Sequence, residues 1–192
     1  MNFELKKRIM TSLILISLLI TMYFFSFMMI SALIVIATIT WIEFYTLISK
    51  VFKKKFIRNS FFKVLYKSLS LLYLSSLVFL IFSIESNYQN LKVYLFYSLL
   101  TAILSDIGGM VFGKIFKGKK LTKISPNKTI SGSCGSFIFS LLLIPLFYFE
   151  LLNNDLLSLI LITLTISLTS QLGDLFISYI KRKAKVKNTS DI

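Results

Sequence analysis

The stretch IMTSLILISLLITMYFFSFMMISALIVIATITWI, from Ile9 to Ile42, contains no charged residue. A helix needs about 20 apolar residues to cross the hydrocarbon core of a bilayer. This run is too long for one crossing and long enough for two. It predicts helices near 9–25 and 28–48, with a tight turn at Tyr23 to Ser26. The basic start Lys6-Lys7-Arg8 resembles that of a signal peptide. However, the apolar run extends far beyond a typical signal core, and no small-residue cleavage site interrupts it. It is read as retained membrane helix.

The rest of the chain repeats this alternation. A basic, aromatic stretch carrying Lys50, Lys53, Lys54, Lys55, Arg58, Lys63 and Lys67 leads into a third span near 64–84. The polar loop Glu85-Ser86-Asn87-Tyr88-Gln89-Asn90 precedes a fourth span near 91–113. A basic, Gly/Ser-rich loop at 114–132 precedes a fifth near 133–150. After the turn Asn153-Asn154-Asp155 comes a sixth near 156–180 and a basic tail. The expected architecture is an all-α transmembrane bundle of about six spans, with residues 1–192 forming a single transmembrane domain. No internal repeat and no separate soluble domain stands out.

Composition agrees. The 192 residues are 56% hydrophobic, mean hydropathy is +0.80, and the charges come in bursts between apolar runs, unlike those of a soluble domain. Net charge is +14, from 22 Lys+Arg against 8 Asp+Glu. These cations gather at the N-terminus and at 50–67, 114–128 and 181–187, which leaves only Lys92 for the alternate loops. The positive-inside rule then places both termini in the cytoplasm. Cations flanking apolar spans suit lipid head groups and anionic substrates rather than nucleic acid. With Cys134 alone and no histidine, the chain has no intrachain disulfide, cysteine metal cluster, imidazole ligand or Ser-His pair. Chemistry falls to Asp, Glu, Lys and hydroxyls.

Three carboxylates lie within or at the ends of apolar spans: Glu43, Asp106 and Asp174. Ionisable groups there are costly and face a bundle interior or a wet cavity, or else sit hydrated at head-group level. All three fall towards the expected cytoplasmic half, within reach of a cytoplasmic nucleotide. Asp106 opens Asp106-Ile107-Gly108-Gly109-Met110-Val111-Phe112-Gly113-Lys114, whose glycines suit close helix approach. The loop Ile124-Ser125-Pro126-Asn127-Lys128-Thr129 offers lysine, hydroxyls and a rigid turn. That combination suits phosphate, with a solvated basic loop as the alternative. It lacks P-loop spacing. On a helix Asp174, Ser178 and Lys181 share one face, which suits a metal–phosphate complex. The alternative has Lys181 and Arg182 snorkelling with Asp174 as their partner.

Ser105-Asp106-Ile107-Gly108-Gly109, Ile124-Ser125-Pro126-Asn127-Lys128-Thr129 and Gly173-Asp174-Leu175-Phe176-Ile177-Ser178-Tyr179-Ile180-Lys181-Arg182 resemble, in order and spacing, motifs of the bacterial phosphatidate cytidylyltransferases, also called CDP-diglyceride synthases. Trp41-Ile42-Glu43 resembles an early motif of the same family. The resemblance implies transfer of a cytidylyl group from CTP to phosphatidic acid, with Mg²⁺ and room for a second cation, at a bacterial inner membrane. It further implies Asp174 as metal ligand, with Asp174, Ser178 and Lys181 catalytic. Ser125, Asn127, Lys128, Thr129, Arg182 and Asp106 are expected to bind substrate and phosphate, and a homodimer stays open. Family members continue to Pro-Gly-His-Gly-Gly and Asp-Arg-x-Asp, with Asp where this chain has Asn188, so the chain is expected to be truncated at its C-terminal end relative to the family. Alternatives are a CTP-dependent polyprenol or phytol kinase, a small transporter with Asp106 and Asp174 on the ion path, and a non-catalytic relic.

Overall fold

The computed structural model describes residues 3–52, 57–88, 91–122, 124–126, 128–151 and 155–186. Among them the chain forms seven helices and no strand, apart from one isolated antiparallel bridge between Lys120 and Thr129. Helix α1 (Phe3–Phe24) and helix α2 (Ser26–Val51) are separated by Phe25, whose extended backbone (φ −118°, ψ 103°) makes the expected turn a one-residue break. There follow α3 (Ile57–Asn87), α4 (Lys92–Phe116), α5 (Ile130–Leu141), the single turn α6 (Ile144–Phe147) and α7 (Leu156–Lys183).

Five segments among the described residues are long and apolar enough to cross a membrane: Ser26–Val51, Ser60–Asn87, Lys92–Phe116, Ile130–Phe147 and Leu156–Lys183. The apolar part of α1, Met10–Phe24, is shorter, although all 22 residues of α1 would measure about 33 Å at 1.5 Å per residue. Burial is inverted relative to a water-soluble protein. Phe27 (82% exposed) and Phe149 (81%) face outward, while Thr101, Ser105, Ser140, Thr163 and Ser167 are completely buried. Water would not leave so much apolar surface outside, whereas lipid does. The chain is an all-α, multi-pass membrane protein.

Three expectations need correction. The fifth span is not one helix from 133 to 150. It begins at Ile130, because the Thr129 side chain accepts from the Gly132 amide (3.1 Å) and caps the helix. It breaks after Leu141, because Pro145 has no N–H and its ring collides with the carbonyl four residues back. Leu142 and Leu143 donate three residues back instead, to Phe139 and Ser140 (3.2 and 3.3 Å). The loop before this span therefore ends at Thr129 rather than at residue 132. Finally, Glu85 does not belong to a solvated loop. It lies in the last turns of α3, buried, where Lys92 Nζ (2.7 Å) and the Ser26 hydroxyl donate to its Oε1. The pairing offsets part of the cost of burying the charge, since Oε2 is buried without a hydrogen-bond partner among the described residues. Gln89, Asn90, Asn153 and Asn154 lie outside the described residues.

The Glu85 cluster joins the start of α2, the end of α3 and the start of α4 at one end of the bundle, so consecutive helices run alternately up and down. At that same end lies Tyr23 of α1, whose ring is 5.7 Å from Lys92 Nζ. At the other end the tip of α4, the start of α5 and the end of α7 converge. There α4 and α5 cross backbone to backbone: a Cβ on Gly108 would lie 2.4 Å from the Gly135 carbonyl oxygen, and one on Gly132 2.7 Å from that of Gly109. The close-approach reading of these glycines holds. Helix α7 closes the seam through Ser167, which shares a hydrogen bond with Ser105 (2.8 Å), and Thr163, which bonds to Tyr97. Such small-residue contacts and interhelical hydrogen bonds are what tie helices together where lipid already solvates every apolar face.

Candidate active site

The seam opens, at the basic end, into a cavity of about 340 Å³. Helix α4 contributes Asp106, Gly109 and Met110, α5 contributes Gly132, Ser133 and Ser136, and α7 contributes Gln171 and Asp174. The loop between α4 and α5 adds Leu121, Lys128 and Thr129.

The loop is shaped by its own sequence. Lys117 takes the left-handed conformation (φ 41°, ψ 43°) that ends α4. The Gly118 amide donates to the Ser131 hydroxyl (3.3 Å). Strand-like pairing follows, Leu121 N–H to the Lys128 carbonyl (2.8 Å) and Ile130 N–H to that of Lys119 (2.9 Å). Pro126 occupies the second position of the turn, where its fixed φ is favourable, and Lys128 N–H closes it on the Ser125 carbonyl (3.1 Å). This small hairpin delivers Lys128 and Thr129 to the first turn of α5. A helix start carries partial positive charge and suits anions.

Inside the cavity Lys128 Nζ donates to Asp174 Oδ2 at 2.9 Å. Asp106 lines the same cavity from α4. The Ser133 hydroxyl donates to Gln171 Oε1, and Gln171 Nε2 donates to Ser167 Oγ (3.4 Å), so the wall of the cavity continues the polar seam. Asp174 retains 53% of its side-chain exposure and Lys128 29%, so both can meet a ligand entering from water.

The structure thus gathers Asp106, Asp174, Lys128 and Thr129, expected from sequence, around one space. It does not bring in the others. Ser178 and Lys181, one and two turns beyond Asp174 on α7, do not line the cavity. Arg182 instead donates through Nε to the Ile124 carbonyl (3.4 Å), which ties the phosphate-type loop to the end of α7. Ser125 serves the turn, its amide donating to Thr122 Oγ1 (3.3 Å). Asn127 lies outside the described residues. Glu43 is exposed on α2 and absent from the cavity lining, and the neighbouring Trp41 faces a groove against α3. Sequence reasoning missed Ser133, Ser136 and Gln171 as lining residues. The available signal was the four-residue spacing of Thr163, Ser167 and Gln171, a polar stripe that runs along α7 towards Asp174.

Mg²⁺ binds oxygen at near-octahedral geometry, and where it works with phosphates it takes one or two carboxylates and leaves the remaining positions to phosphate oxygens and water. Asp106 and Asp174 fit that use. They do not make a closed protein cage: no group of three or more His, Cys, Asp or Glu suited to a metal occurs among the described residues.

The sequence pattern of the cytidylyltransferase family matches residues 2–192. The chain belongs to the cytidylyltransferase family. Among curated relatives, the phosphatidate cytidylyltransferase of Rickettsia bellii (strain RML369-C) is 38% identical to this family member over 121 residues, which cover 59% of this chain and 52% of the relative. The phosphatidate cytidylyltransferase of Staphylococcus haemolyticus (strain JCSC1435) is 40% identical over 101 residues, covering 52% of this chain and 39% of the relative. That of Staphylococcus aureus (strain COL) is 42% identical over 102 residues, with the same coverage. This cytidylyltransferase-family chain therefore spans about half the length, or less, of these relatives. No solved structure matches it.

Proposed function

We propose that the chain takes part in making CDP-diacylglycerol and pyrophosphate from CTP and phosphatidic acid, as its relatives' shared name suggests, at a bacterial inner membrane with both termini in the cytoplasm. The observation that carries this reading is the cavity itself. Two carboxylates, one ammonium and the capped start of α5 converge at the basic end of a membrane bundle.

In the reaction a phosphate oxygen of phosphatidic acid attacks the α-phosphorus of CTP. The new P–O bond forms as the bond to the β-phosphate bridging oxygen breaks, and the electron pair leaves with pyrophosphate. The nucleophile is already anionic, so alignment and charge neutralisation are the main tasks. Asp174 and Asp106 would hold Mg²⁺, which supplies Lewis-acid charge on the phosphate oxygens. Lys128 balances the triphosphate, and the start of α5, which Thr129 caps, faces it. Arg182 holds the loop that presents Lys128. Ser178 and Lys181, one and two turns beyond Asp174 on α7, would meet the lipid phosphate as it enters sideways.

Asp174→Asn tests the assignment. In phosphatidate-containing nanodiscs with CTP labelled at the α-phosphate, the variant is expected to lose at least about a hundredfold in CDP-diacylglycerol formation while inserting normally. Undiminished turnover would remove Asp174 from the site. Release of CDP with a lipid monophosphate, in place of pyrophosphate with a CDP-lipid, would convert the assignment to a lipid kinase.

A further inference from the structure

Among the described residues the cavity lining carries one ammonium, that of Lys128, and it is already bonded. Lys128 Nζ sits 2.9 Å from Asp174 Oδ2, and the Asp106 carboxylate lines the same cavity. Lys128 thereby engages one oxygen of a carboxylate that a divalent cation would use. Two features keep Lys128 there. Its backbone is fixed on both faces of the loop hairpin, the carbonyl accepting from Leu121 and the amide donating to Ser125. The loop is in turn tied to α7, the helix that bears Asp174, by Arg182.

We propose that Lys128 is a built-in stand-in for the metal. It neutralises Asp174 when no phosphate is bound, excludes a free divalent cation, and gives up the carboxylate only when an anionic phosphate chain offers the ammonium a better partner. The inference rests on the reading of the cavity as a nucleotide-phosphate site and deepens it: metal and phosphate chain enter as one unit, not as metal first. Two physical points support this. The two carboxylates that the described residues bring to the cavity supply too few oxygens by themselves to satisfy a small divalent cation without phosphate. An ammonium beside one of those carboxylates also repels the cation at short range, where solvent screening is incomplete. Once phosphate arrives, both obstacles vanish together, because the phosphate supplies the missing oxygens and draws the ammonium away. A lysine is suited to the exchange because its head group is a compact charge on a flexible stem.

The test uses the 192-residue chain in phosphatidylcholine nanodiscs, with Mn²⁺ as the probe and free Mn²⁺ followed by its electron paramagnetic resonance signal. With no phosphate compound present, Lys128→Gln is expected to bind Mn²⁺ about tenfold more tightly than the unaltered chain. Lys128→Arg should stay weak, and Lys128→Gln with Asp174→Asn should lose the gain. With labelled pyrophosphate added, the order should reverse, the unaltered chain retaining Mn²⁺ and pyrophosphate together better than Lys128→Gln. A merely structural role for Lys128 would weaken both measurements rather than move them in opposite directions. Tight Mn²⁺ binding by the unaltered chain without phosphate, or no tightening in Lys128→Gln, overturns the proposal. CDP-diacylglycerol formation is assayed separately on the same discs: its absence alongside the expected metal behaviour overturns the proposed reaction and leaves the stand-in role intact.

Discussion

The α4–α5–α7 core and the α2–α3 hairpin sit in the same apolar solvent and pack in opposite ways. In the core, beside Tyr97, Leu159 and Ile180, a whole series of buried positions is polar and mostly small: Thr101, Ser105, Ser136, Ser140, Thr163, Ser167 and Gln171. Glycines let the backbones touch, and hydroxyls bond from helix to helix. In the hairpin, Ile30, Ile34 and Trp41 face Leu71, Leu74, Val78 and Phe79 across an open groove of about 550 Å³. The hairpin has far more apolar side chain to offer, yet it packs more loosely. In water the reverse would hold. In lipid a leucine gains little by leaving acyl chains for another leucine, so affinity between helices comes from close fit and polar bonds. Tight fit also creates the rigid walls that a site needs, and the candidate site lies in the core.

The contrast can be broken most directly at Gly108. An alanine there would place Cβ 2.4 Å from the Gly135 carbonyl and 2.6 Å from Phe139 Cβ. The backbone atom cannot swing aside, so Gly108→Ala is expected to cost about 2–4 kcal/mol, read as a large drop in thermal unfolding temperature in detergent. Alanine at Gly173, where nothing lies within 4 Å, serves as the control and should unfold at least as late as the unaltered chain. If both glycines tolerate alanine equally, the tight crossing is wrong.

A smaller effect is expected where the seam relies on hydroxyls. Ser167→Ala removes the bond to Ser105 (2.8 Å) and the one received from Gln171 (3.4 Å). Interhelical bonds in membranes are worth roughly 0.6 kcal/mol on average and about 1.7 at most, so the loss should fall in that range. Because Gln171 also holds Ser133 at the cavity wall, pyrophosphate binding should weaken as well. A stability loss above about 3 kcal/mol would mean that hydrogen bonds in this seam are worth more than in other membrane bundles.

The smallest effect belongs to the hairpin. Leu74→Ala enlarges a groove that is already open, so lipid can fill the space, and the cost should stay below about 1 kcal/mol. In a water-soluble core the same change costs about 2–5 kcal/mol. Equilibrium unfolding in mixed micelles decides between the two values. A cost in the soluble range would show that this groove is sealed against lipid.

Much of this organisation could be read directly from the chain. Five of the six expected spans overlap helices that are long and apolar enough to cross a membrane, and the break at Phe25 falls where the turn was expected. Asp106, Lys128, Thr129 and Asp174 were legible because charge or phosphate-type chemistry at a membrane helix end is costly without a use. Ser133 and Ser136 were not, since neutral polar residues are cheap enough in membrane helices to carry no alarm, and Gln171 showed only as the end of the polar stripe through Thr163 and Ser167. Ser178 and Lys181 share a helical face with Asp174 by spacing, but sharing a face of one helix does not place residues in a cavity whose other walls come from other helices.

Alone, then, the sequence determined that the chain lives in lipid, where its helices run, and which carboxylates and cations demand an explanation. Those are consequences of transfer free energy summed along the chain, and need no knowledge of neighbours. Only the tertiary structure decided that Lys128, forty-six positions away in the chain, is the partner of Asp174, that Glu85 is buried against Lys92, and that α4 and α5 touch backbone to backbone. Each depends on a distance between helices, which is set in lipid by fit at a few small residues and by hydrogen bonds whose partners are remote in sequence.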